Sequence, residues 1–326
     1  AEDGCPLASC SLDTLASPGF CAAAGQYASL ASECTDPAQR EQFDTSFDVD
    51  LSYGVPGVCR FRVSAYHQRG SVAIVFRAIS FNIPSLESLN LPPVLKKIAM
   101  EERGLILVTG TTGSGKSSTL AAMIDYINEN RTSNIITVED PVEFQIPGIN
   151  QVPTKKEIGL TFANALRSIL RQEPDIIMIG EIRDTETAEI AVESALTGHQ
   201  VLSTMHCNDA AGAITRLDDM GIAPFLISSS VILACAQRLM RRICSHCKEP
   251  IAYPAKMFQD LGIDPSIFDG VTLYRGRGCE RCKGSGYAGR LAIIEAMTIT
   301  DEIRKLIIAR GSSREMGKIA IGQGMR

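Results

Sequence analysis

The sequence has no long hydrophobic run and no excess of positive charge. Its longest candidate for a membrane span, residues 225 to 240, is interrupted by three serines and a glutamine, whereas a span needs ~18 to 20 apolar residues. We therefore expect no transmembrane helix. The formal net charge of the 326 residues is −5, which argues against a dominant electrostatic affinity for nucleic acid. We expect no nucleic-acid partner, although net charge does not exclude a local basic patch.

The first residues, AEDGCPLASC, also lack the basic segment of a signal peptide. We therefore expect a cytoplasmic protein, in which the eleven cysteines need an explanation other than disulfides. Residues 1 to about 45 have weak periodicity, and we assign no chemistry to them. Their cysteines are spaced too irregularly for a standard zinc module, so buried thiols are the simpler interpretation. These are Cys5, Cys10, Cys21 and Cys34.

A glycine-rich loop follows an apolar run in the stretch GLILVTGTTGSGKSS, Gly104 to Ser118. The pattern G-x-x-x-x-G-K-S lets the backbone aim several N–H groups at one point, where the next helix adds its positive dipole end. Lys116 can reach the β- and γ-phosphates, and Ser117 can ligate Mg²⁺. We therefore predict binding of a nucleoside triphosphate rather than a chance glycine-rich turn. The predicted nucleotide contacts are Gly110, Thr111, Thr112, Gly113, Ser114, Gly115, Lys116, Ser117 and Ser118.

The length of the chain predicts about two domains. Residues 48 to 79 alternate in short runs between Pro/Gly turns, which indicates antiparallel strands. A proline-bounded connector, Ile83 to Pro93, then leads into a short helix, Val94 to Glu102. We predict an N-terminal domain of residues 1–90 and a C-terminal domain of residues 91–326.

Strands and helices alternate beyond the glycine-rich loop, which predicts a parallel sheet covered on both faces. The predicted strands are Asn134 to Glu139, Asp175 to Ile179 and Gln200 to Met205. The predicted helices are Ser118 to Asn130, Thr161 to Gln172 and Thr185 to Leu196. Since ligands bind beyond the carboxyl ends of parallel strands, this edge is the expected site.

Glu139, Glu181 and His206 lie at the ends of these strands. Hydrolysis of ATP needs Mg²⁺ and an oriented water, and carboxylates serve both needs. Glu181 occupies a Walker B position, but Gly180 replaces the usual aspartate, so we expect metal contact through a water. Glu139 is the better candidate to position the attacking water. The alternatives are a helix cap or surface charge for the acids, and an ordinary hydrogen-bonded side chain for His206.

Four arginines lie on or beside the N-terminal strands: Arg60, Arg62, Arg69 and Arg77. One interpretation is a solvated sheet face. The other is that some of them reach the γ-phosphate of a neighbouring subunit as arginine fingers. The residues by themselves leave both interpretations open.

Two CxxC pairs, Cys244 with Cys247 and Cys279 with Cys282, are separated by 31 residues. Four thiolates in two such pairs suit tetrahedral Zn²⁺. The gap is longer than in common zinc ribbons, and a redox or merely buried role is the alternative. With no vacant ligand position and no nearby acid, we expect a structural zinc that ties down an insertion, residues 243–284.

Four stretches together carry a family resemblance: GTTGSGKSS, ITVEDPVEFQIPGINQV, GLTFANALRSILRQEPDIIMIGEIRDTETAEIA and GHQVLSTMHCNDA. They resemble the type II secretion and type IV pilus ATPases, a family of hexameric P-loop motors. The resemblance covers the chain from about residue 45 onward. It implies an α/β fold with a RecA-like P-loop ATPase core, a small N-terminal PAS-like α+β domain and a zinc-bound C-terminal insertion.

The resemblance also implies roles for particular residues. Gly110 to Ser117 matches the Walker A loop, and Glu139, Glu181 and His206 match the acidic, Walker B and histidine boxes. Arg62, Arg69 and Arg77 match the pattern of small-domain arginines that contact nucleotide. The implied activity is ATP hydrolysis by a homo-hexamer that turns a platform protein of the inner membrane. The motor would then sit at the cytoplasmic face of that membrane through its partners.

The direction of the implied motor is ambiguous in the sequence. The cysteine quartet and the stretch QIPGINQV are similar to assembly and secretion members, whereas the small domain resembles the retraction members more closely. The zinc site favours assembly, and retraction is the alternative. A RecA-like nucleic-acid-binding ATPase with a zinc module is a more distant one. The family pattern continues beyond GQGMR, so we expect its C-terminal helices to be absent.

Overall fold

The computed structural model describes residues 35–55, 59–69, 71–79, 82–155, 158–253 and 255–325. The chain divides into two compact units. The first extends to Ile83 and includes Glu143–Gln145, and the second comprises Pro84–Val142 and Ile146–Arg326. The four N-terminal cysteines considered above lie outside the described residues. They are Cys5, Cys10, Cys21 and Cys34.

The first unit is built on an antiparallel sheet. It contains helix α1 (Pro37–Ser46) and strands β1 (Asp48–Val55), β2 (Cys59–Gln68) and β3 (Ser71–Ile79), paired in the order β1-β2-β3. Alternate side chains point to opposite faces of a strand, and one face forms a small core. Its buried members are Val49, Leu51, Phe61, Val63 and Ala65. The antiparallel strands predicted for residues 48 to 79 are therefore present.

The second unit begins with alternating helices and strands. Its first helices are α2 (Pro93–Ala99), α3 (Lys116–Asn130), α4 (Phe162–Ile169), α5 (Thr185–Leu196), α6 (Ala210–Asp219) and α7 (Pro224–Ser230). The strands between them are β4 (Gly104–Thr109), β5 (Ile135–Glu139), β6 (Asn150–Pro153), β7 (Ile176–Ile179) and β8 (Gln200–Met205).

The C-terminal part of the second unit is richer in antiparallel pairing. It contains β9 (Val231–Ile243), β10 (Lys248–Pro250), α8 (Ala255–Asp260), β11 (Tyr274–Gly276), β12 (Tyr287–Thr298), α9 (Asp301–Ile308) and α10 (Ser313–Gly322). Strands β10 and β11 pair with each other. Helix α8 and a 3₁₀ turn, Pro265–Phe268, lie in the insertion between them.

A seven-stranded sheet forms the centre of the second unit, in the order β12-β9-β4-β8-β7-β5-β6. Neighbouring strands are parallel, except for the antiparallel pair of β9 and β12. Strands β4, β5, β7 and β8 are buried along their whole length, as expected for strands with helices on both faces. The predicted α/β fold with a central parallel sheet is confirmed.

Local capping explains where two predicted helices begin and end. Helix α5 has the predicted bounds, because Asp184 accepts a hydrogen bond from the backbone N–H of Thr187. Helix α4 is shorter than predicted. It ends at Ile169, continues as a 3₁₀ turn, and stops at Glu173, whose φ of 50° is left-handed.

The apolar run at residues 225 to 240 divides into two elements. Helix α7 ends at Ser230, and β9 follows it directly. Serines weaken a helix, and the β-branched residues Val231 and Ile232 favour a strand. Pairing with β4 then extends the central sheet. None of the helices in the described part of the chain has the length and hydropathy of a membrane span.

Strand β9 is longer than the strand beside it. Its last pair with β4 joins Ala236 to Thr109. Beyond it, β9 pairs with β12 as far as Ile243 and Tyr287, with a shift of register between the Arg241–Arg290 pair and that last pair. We call residues 237–243 and 287–294 the ribbon. Residues 244–286, which contain both CxxC pairs, lie at its far end.

Candidate functional site

The glycine-rich loop joins the carboxyl end of β4 to helix α3. Gly110, Gly113 and Gly115 have φ angles of 145°, 78° and 92°, which glycine adopts without strain. Gly115 also has no room for a side chain, because a Cβ at this position would lie 2.7 Å from Nε2 of Gln237. Strand, loop and helix therefore follow the order and the tight packing that a phosphate-binding loop needs.

Lys116 folds back over this loop. Its Nζ donates to the carbonyl oxygens of Gly110 at 2.8 Å and Thr111 at 3.2 Å. Burial lowers the pKa of Lys116, while the negative charge of Glu181 acts in the opposite direction. A buried ammonium group needs strong partners, and charged phosphate oxygens are stronger acceptors than carbonyls. The side chain is therefore placed to exchange these carbonyls for an anion.

Strand β9 forms the floor of the loop. Gln237 is 2% exposed, and its Oε1 accepts a hydrogen bond of 2.7 Å from Oγ1 of Thr119 in α3. Arg238 and Leu239 follow, and together with Asn208 they line a cavity of about 470 Å³ beside the loop. The loop residues in this lining are Thr111, Thr112, Gly113 and Ser114.

The strand register brings the predicted residues to one edge of the sheet. Thr109 pairs with Met205, so Gly110 and His206 begin at the same level. Val138 pairs with Ile179, which places Glu139 beside Gly180. Since β4, β8, β7 and β5 are consecutive in the sheet, the loop, His206, Glu181 and Glu139 share its carboxyl edge.

Glu181 lies between a histidine and an arginine. Its Oε2 is 3.5 Å from Nε2 of His206, and it forms an ion pair with Arg183. This hydrogen-bonded pair raises the pKa of Arg183. The backbone on either side is held by neighbouring strands, because Gly180 N donates to Val138 O and Ile182 N to Thr204 O. The carboxylate is therefore fixed in position, 13% exposed and facing positive charge.

Two neutral side chains donate hydrogen bonds to Glu139. Its Oε1 accepts from Oγ1 of Thr137 at 2.7 Å and from Nε2 of Gln151 at 3.0 Å. Gln151 is itself oriented, because its Oε1 accepts from the backbone N–H of Ile146 at 2.9 Å. The carboxylate is 9% exposed. Such a fixed, partly desolvated acid can orient a water or accept its proton.

The four CxxC cysteines converge at the far end of the ribbon. Their sulfur atoms lie within 4.8 Å of one another, with separations of 3.9 Å for Cys244–Cys279, 3.8 Å for Cys247–Cys282 and 3.7 Å for Cys279–Cys282. A tetrahedral Zn²⁺ with bonds of ~2.3 Å requires sulfur separations of about 3.8 Å. The cluster therefore has the dimensions of a zinc site.

Backbone N–H groups also point at these sulfur atoms. Gly278 donates to Cys247 Sγ at 3.3 Å, and Cys282 Sγ accepts from Cys279 at 3.1 Å and from Gly286 at 3.3 Å. Burial acts to raise the pKa of Cys282, but the backbone donors lower it to about 6. Burial raises the pKa of Cys247 to about 11. The donors favour thiolate, which is the form that binds a metal.

The sequence profile of one protein family, described as Type II/IV secretion system protein, matches residues 48–326. The chain belongs to this family. The match includes the glycine-rich loop, the acids at the strand ends and the cysteine cluster, so one family accounts for both candidate sites.

Characterised family members are similar over most of this chain. The type IV pilus assembly ATPase PilB of Thermus thermophilus is 49% identical over 249 residues, which are 75% of this chain and 28% of that protein. The type II secretion system protein E of Pseudomonas aeruginosa is 49% identical over 231 residues, 71% of this chain and 45% of that protein. The chain thus spans less than half the length of these two relatives.

Two solved structures share the fold. The crystal structure of the pilus retraction motor PilT with bound ADP has a TM-score of 0.70 and 32% identity, and the match covers 90% of this chain and 74% of that one. The DotB ATPase of Legionella pneumophila has a TM-score of 0.65 at 24% identity, over 94% of this chain and 77% of that one. The second likeness concerns the fold alone.

The small-domain arginines lie in the first unit. Arg62 and Arg77 are directly opposite each other on β2 and β3, and Arg62 is 3.8 Å from Asp50. Arg69 follows β2, with a φ of 50°. Like charges directly opposite each other in a sheet are destabilising, and the carboxylate of Asp50 offsets part of this repulsion. Contact of these arginines with nucleotide stays a prediction.

Sequence reasoning missed three residues of the second unit near the nucleotide loop and the strand ends. Arg183 follows Glu181 by two positions and could have been found as a basic residue at the same strand end. Gln237 and Arg238 lie in an apolar run that no motif marks. Their role becomes visible only because β9 pairs with β4.

Proposed function

We propose that this chain is the ATP-hydrolysing subunit of a homo-hexameric motor that powers type IV pilus assembly or type II secretion. The observation that carries the proposal is the convergence of Lys116, Glu139 and Glu181 at one edge of a parallel sheet. The cellular role rests on the relatives named above. In this proposal residues 1–90 form a small PAS-like domain, and residues 91–326 form the ATPase domain.

The loop from Gly110 to Ser118 binds the phosphates through its backbone N–H groups. Lys116 leaves the carbonyls of Gly110 and Thr111 and neutralises the β- and γ-phosphates. Ser117, which is exposed at the start of α3, is the residue to ligate Mg²⁺. That ion would neutralise charge on the phosphate oxygens during hydrolysis.

Glu139 and Glu181 have different roles in hydrolysis. Glu139 orients the attacking water, because Thr137 and Gln151 fix its carboxylate. Glu181 would help to hold the Mg²⁺ that neutralises charge on the phosphates. His206, half exposed beside Glu181, contacts the γ-phosphate. Arg62, Arg69 and Arg77 supply positive charge to the nucleotide of a neighbouring subunit.

The cysteine cluster holds one structural Zn²⁺ through Cys244, Cys247, Cys279 and Cys282. The sulfur separations and the N–H groups directed at sulfur support this assignment. The protein works at the cytoplasmic face of the inner membrane, which it reaches through a platform protein of the pilus or secretion machine.

The first experiment measures Mg²⁺-dependent ATP hydrolysis and the mass of the protein in solution, with and without nucleotide. We expect a hexamer that hydrolyses ATP, and no turnover in Lys116→Ala. Turnover that persists in Lys116→Ala would contradict the proposed site. A monomer that binds ATP without hydrolysing it would contradict the motor, and tight binding to DNA at moderate salt would favour the nucleic-acid alternative.

Retraction is the second candidate, because the PilT structure matches 90% of this chain. The two directions separate in cells. Expression in a pilated bacterium that lacks its assembly ATPase should restore pili if the chain drives assembly. Rescue only of a strain that lacks its retraction ATPase would reverse the assignment.

A further inference from the structure

Arg238 stands beside the nucleotide loop without a role in the site described above. It is an exposed residue of the ribbon, and it lines the cavity formed by Thr111, Thr112 and Gly113 with Asn208. Its Nη2 donates to the carbonyl oxygen of Asn208 at 3.3 Å. Asn208 follows His206 by two residues, so Arg238 reaches across from the floor of the loop to the segment that carries the histidine.

The cavity adjoins the part of the loop that Lys116 contacts. Lys116, which reaches the β- and γ-phosphates in this loop type, has its Nζ on the carbonyls of Gly110 and Thr111. Thr111 is also part of the cavity wall. Lys116 and the cavity therefore share Thr111 as a neighbour, and Arg238 is the cation of the cavity lining.

Among the residues that the structure describes, no carboxylate forms an ion pair with the guanidinium group of Arg238. The acid nearest in register is Glu295, which pairs with Ala236 on the same face, and Oε2 of Glu295 instead accepts from the backbone N–H of Ala210 at 3.3 Å. A guanidinium group that has only one neutral acceptor keeps donors for an anion.

We propose that Arg238 is a second cation for the γ-phosphate of ATP, supplied by the same subunit as Lys116. This inference rests on the proposed function. It makes Arg238 a ground-state determinant of ATP over ADP, because ADP has no γ-phosphate. The contact with Asn208 then gives the protein a direct link between the terminal phosphate and the segment after His206.

The test compares the affinities of the whole chain for a non-hydrolysable ATP analogue and for ADP. Arg238→Gln should weaken binding of the ATP analogue about 10-fold or more, the loss of one charge-assisted hydrogen bond, and change ADP binding less than about twofold. Arg238→Lys should recover part of the loss. Arg242→Gln is the matched control. It removes the same charge from the exposed end of the same strand, four residues further from the loop.

Equal losses for the two nucleotides would overturn the proposal and indicate a structural role for Arg238. No loss of affinity for either nucleotide would overturn it as well. If Arg242→Gln weakened binding of the ATP analogue as much as Arg238→Gln, the proposal would also fail, because the effect would then be a long-range attraction between positive charge and the nucleotide. If the unaltered protein bound neither nucleotide, the proposed function itself would fail. If instead the unaltered protein binds both nucleotides and Arg238→Gln weakens both equally, only the inference about Arg238 fails.

Discussion

The nucleotide loop and the cysteine cluster are held in place by different forces. The loop stands on strands whose apolar side chains are fully buried, such as Leu105, Ile106 and Leu107. The cluster has little apolar support, since its buried hydrophobic members are three of the cysteines themselves. Large apolar side chains of the surrounding segment are exposed, among them Leu261 at 63% and Ile267 at 66%.

This difference indicates what each region needs in order to keep its shape. Burial of apolar surface stabilises the loop whether or not a ligand is bound. The cluster lacks that contribution, and four sulfur atoms at metal-ligand spacing would supply it through zinc. The fold therefore prepares the nucleotide loop by itself, whereas the cysteine cluster would be completed by the proposed metal.

The largest expected effect is the loss of zinc. Replacing Cys244 and Cys279 with serine should reduce the zinc content from one per chain to none, and removal of a structural zinc corresponds to about 10 kcal/mol of binding free energy. Residues 244–286 should then be cut readily by a protease. Metal analysis and limited proteolysis check this.

Nucleotide affinity is the control for the zinc variant. Because the central sheet supports the loop without the cluster, we expect the nucleotide affinity of the double variant to change only a few-fold. Unchanged zinc content in the double variant would remove the metal site, and complete loss of nucleotide binding would mean that the two regions do not differ as argued.

The next largest effect belongs to Lys116. Lys116→Ala removes the one ammonium group of the loop, and we expect nucleotide affinity to fall by about 100-fold or more. Calorimetric titration with ADP and Mg²⁺ measures it. Zinc content and melting temperature should stay near those of the parent, and a variant that loses zinc as well would contradict the independence of the two regions.

The two acids should separate binding from turnover. Glu139→Gln keeps the shape of the side chain but cannot accept a proton, so the turnover of bound ATP should fall by about 10² to 10⁴ while ATP affinity stays within a few-fold. Single-turnover kinetics after an affinity measurement checks both. Glu181→Gln is the comparison, and weaker binding in either variant would make that acid structural instead.

The smallest expected effect lies where the two regions join. Gln237→Ala leaves the buried hydroxyl of Thr119 without its 2.7 Å partner, which should cost about 1 to 3 kcal/mol of unfolding free energy. Denaturant unfolding measures the loss. The double variant Thr119→Ala with Gln237→Ala should lose less than the sum of the single changes, and strict additivity would mean that the bond contributes nothing.

Local patterns predicted a large part of this site. The spacing of Gly110, Lys116 and Ser117 predicts a phosphate loop because it depends on neighbouring backbone conformations only. The sequence indicated Glu139 and Glu181 because Glu139 is the last residue of an apolar strand, Glu181 comes two residues after another, and parallel strands end at a common edge. The CxxC pairs were found because two cysteines three positions apart can share a metal.

The sequence by itself determined which residue types carry the chemistry and which strands end at the candidate site. The tertiary structure decided what surrounds them. Gln237 and Arg238 reach the loop only because β9 pairs with β4, a contact between residues more than a hundred positions apart. The sulfur atoms of Cys244 and Cys279 come within 3.9 Å because the ribbon brings them together. Such contacts depend on long-range pairing and burial, which no local pattern of side chains encodes.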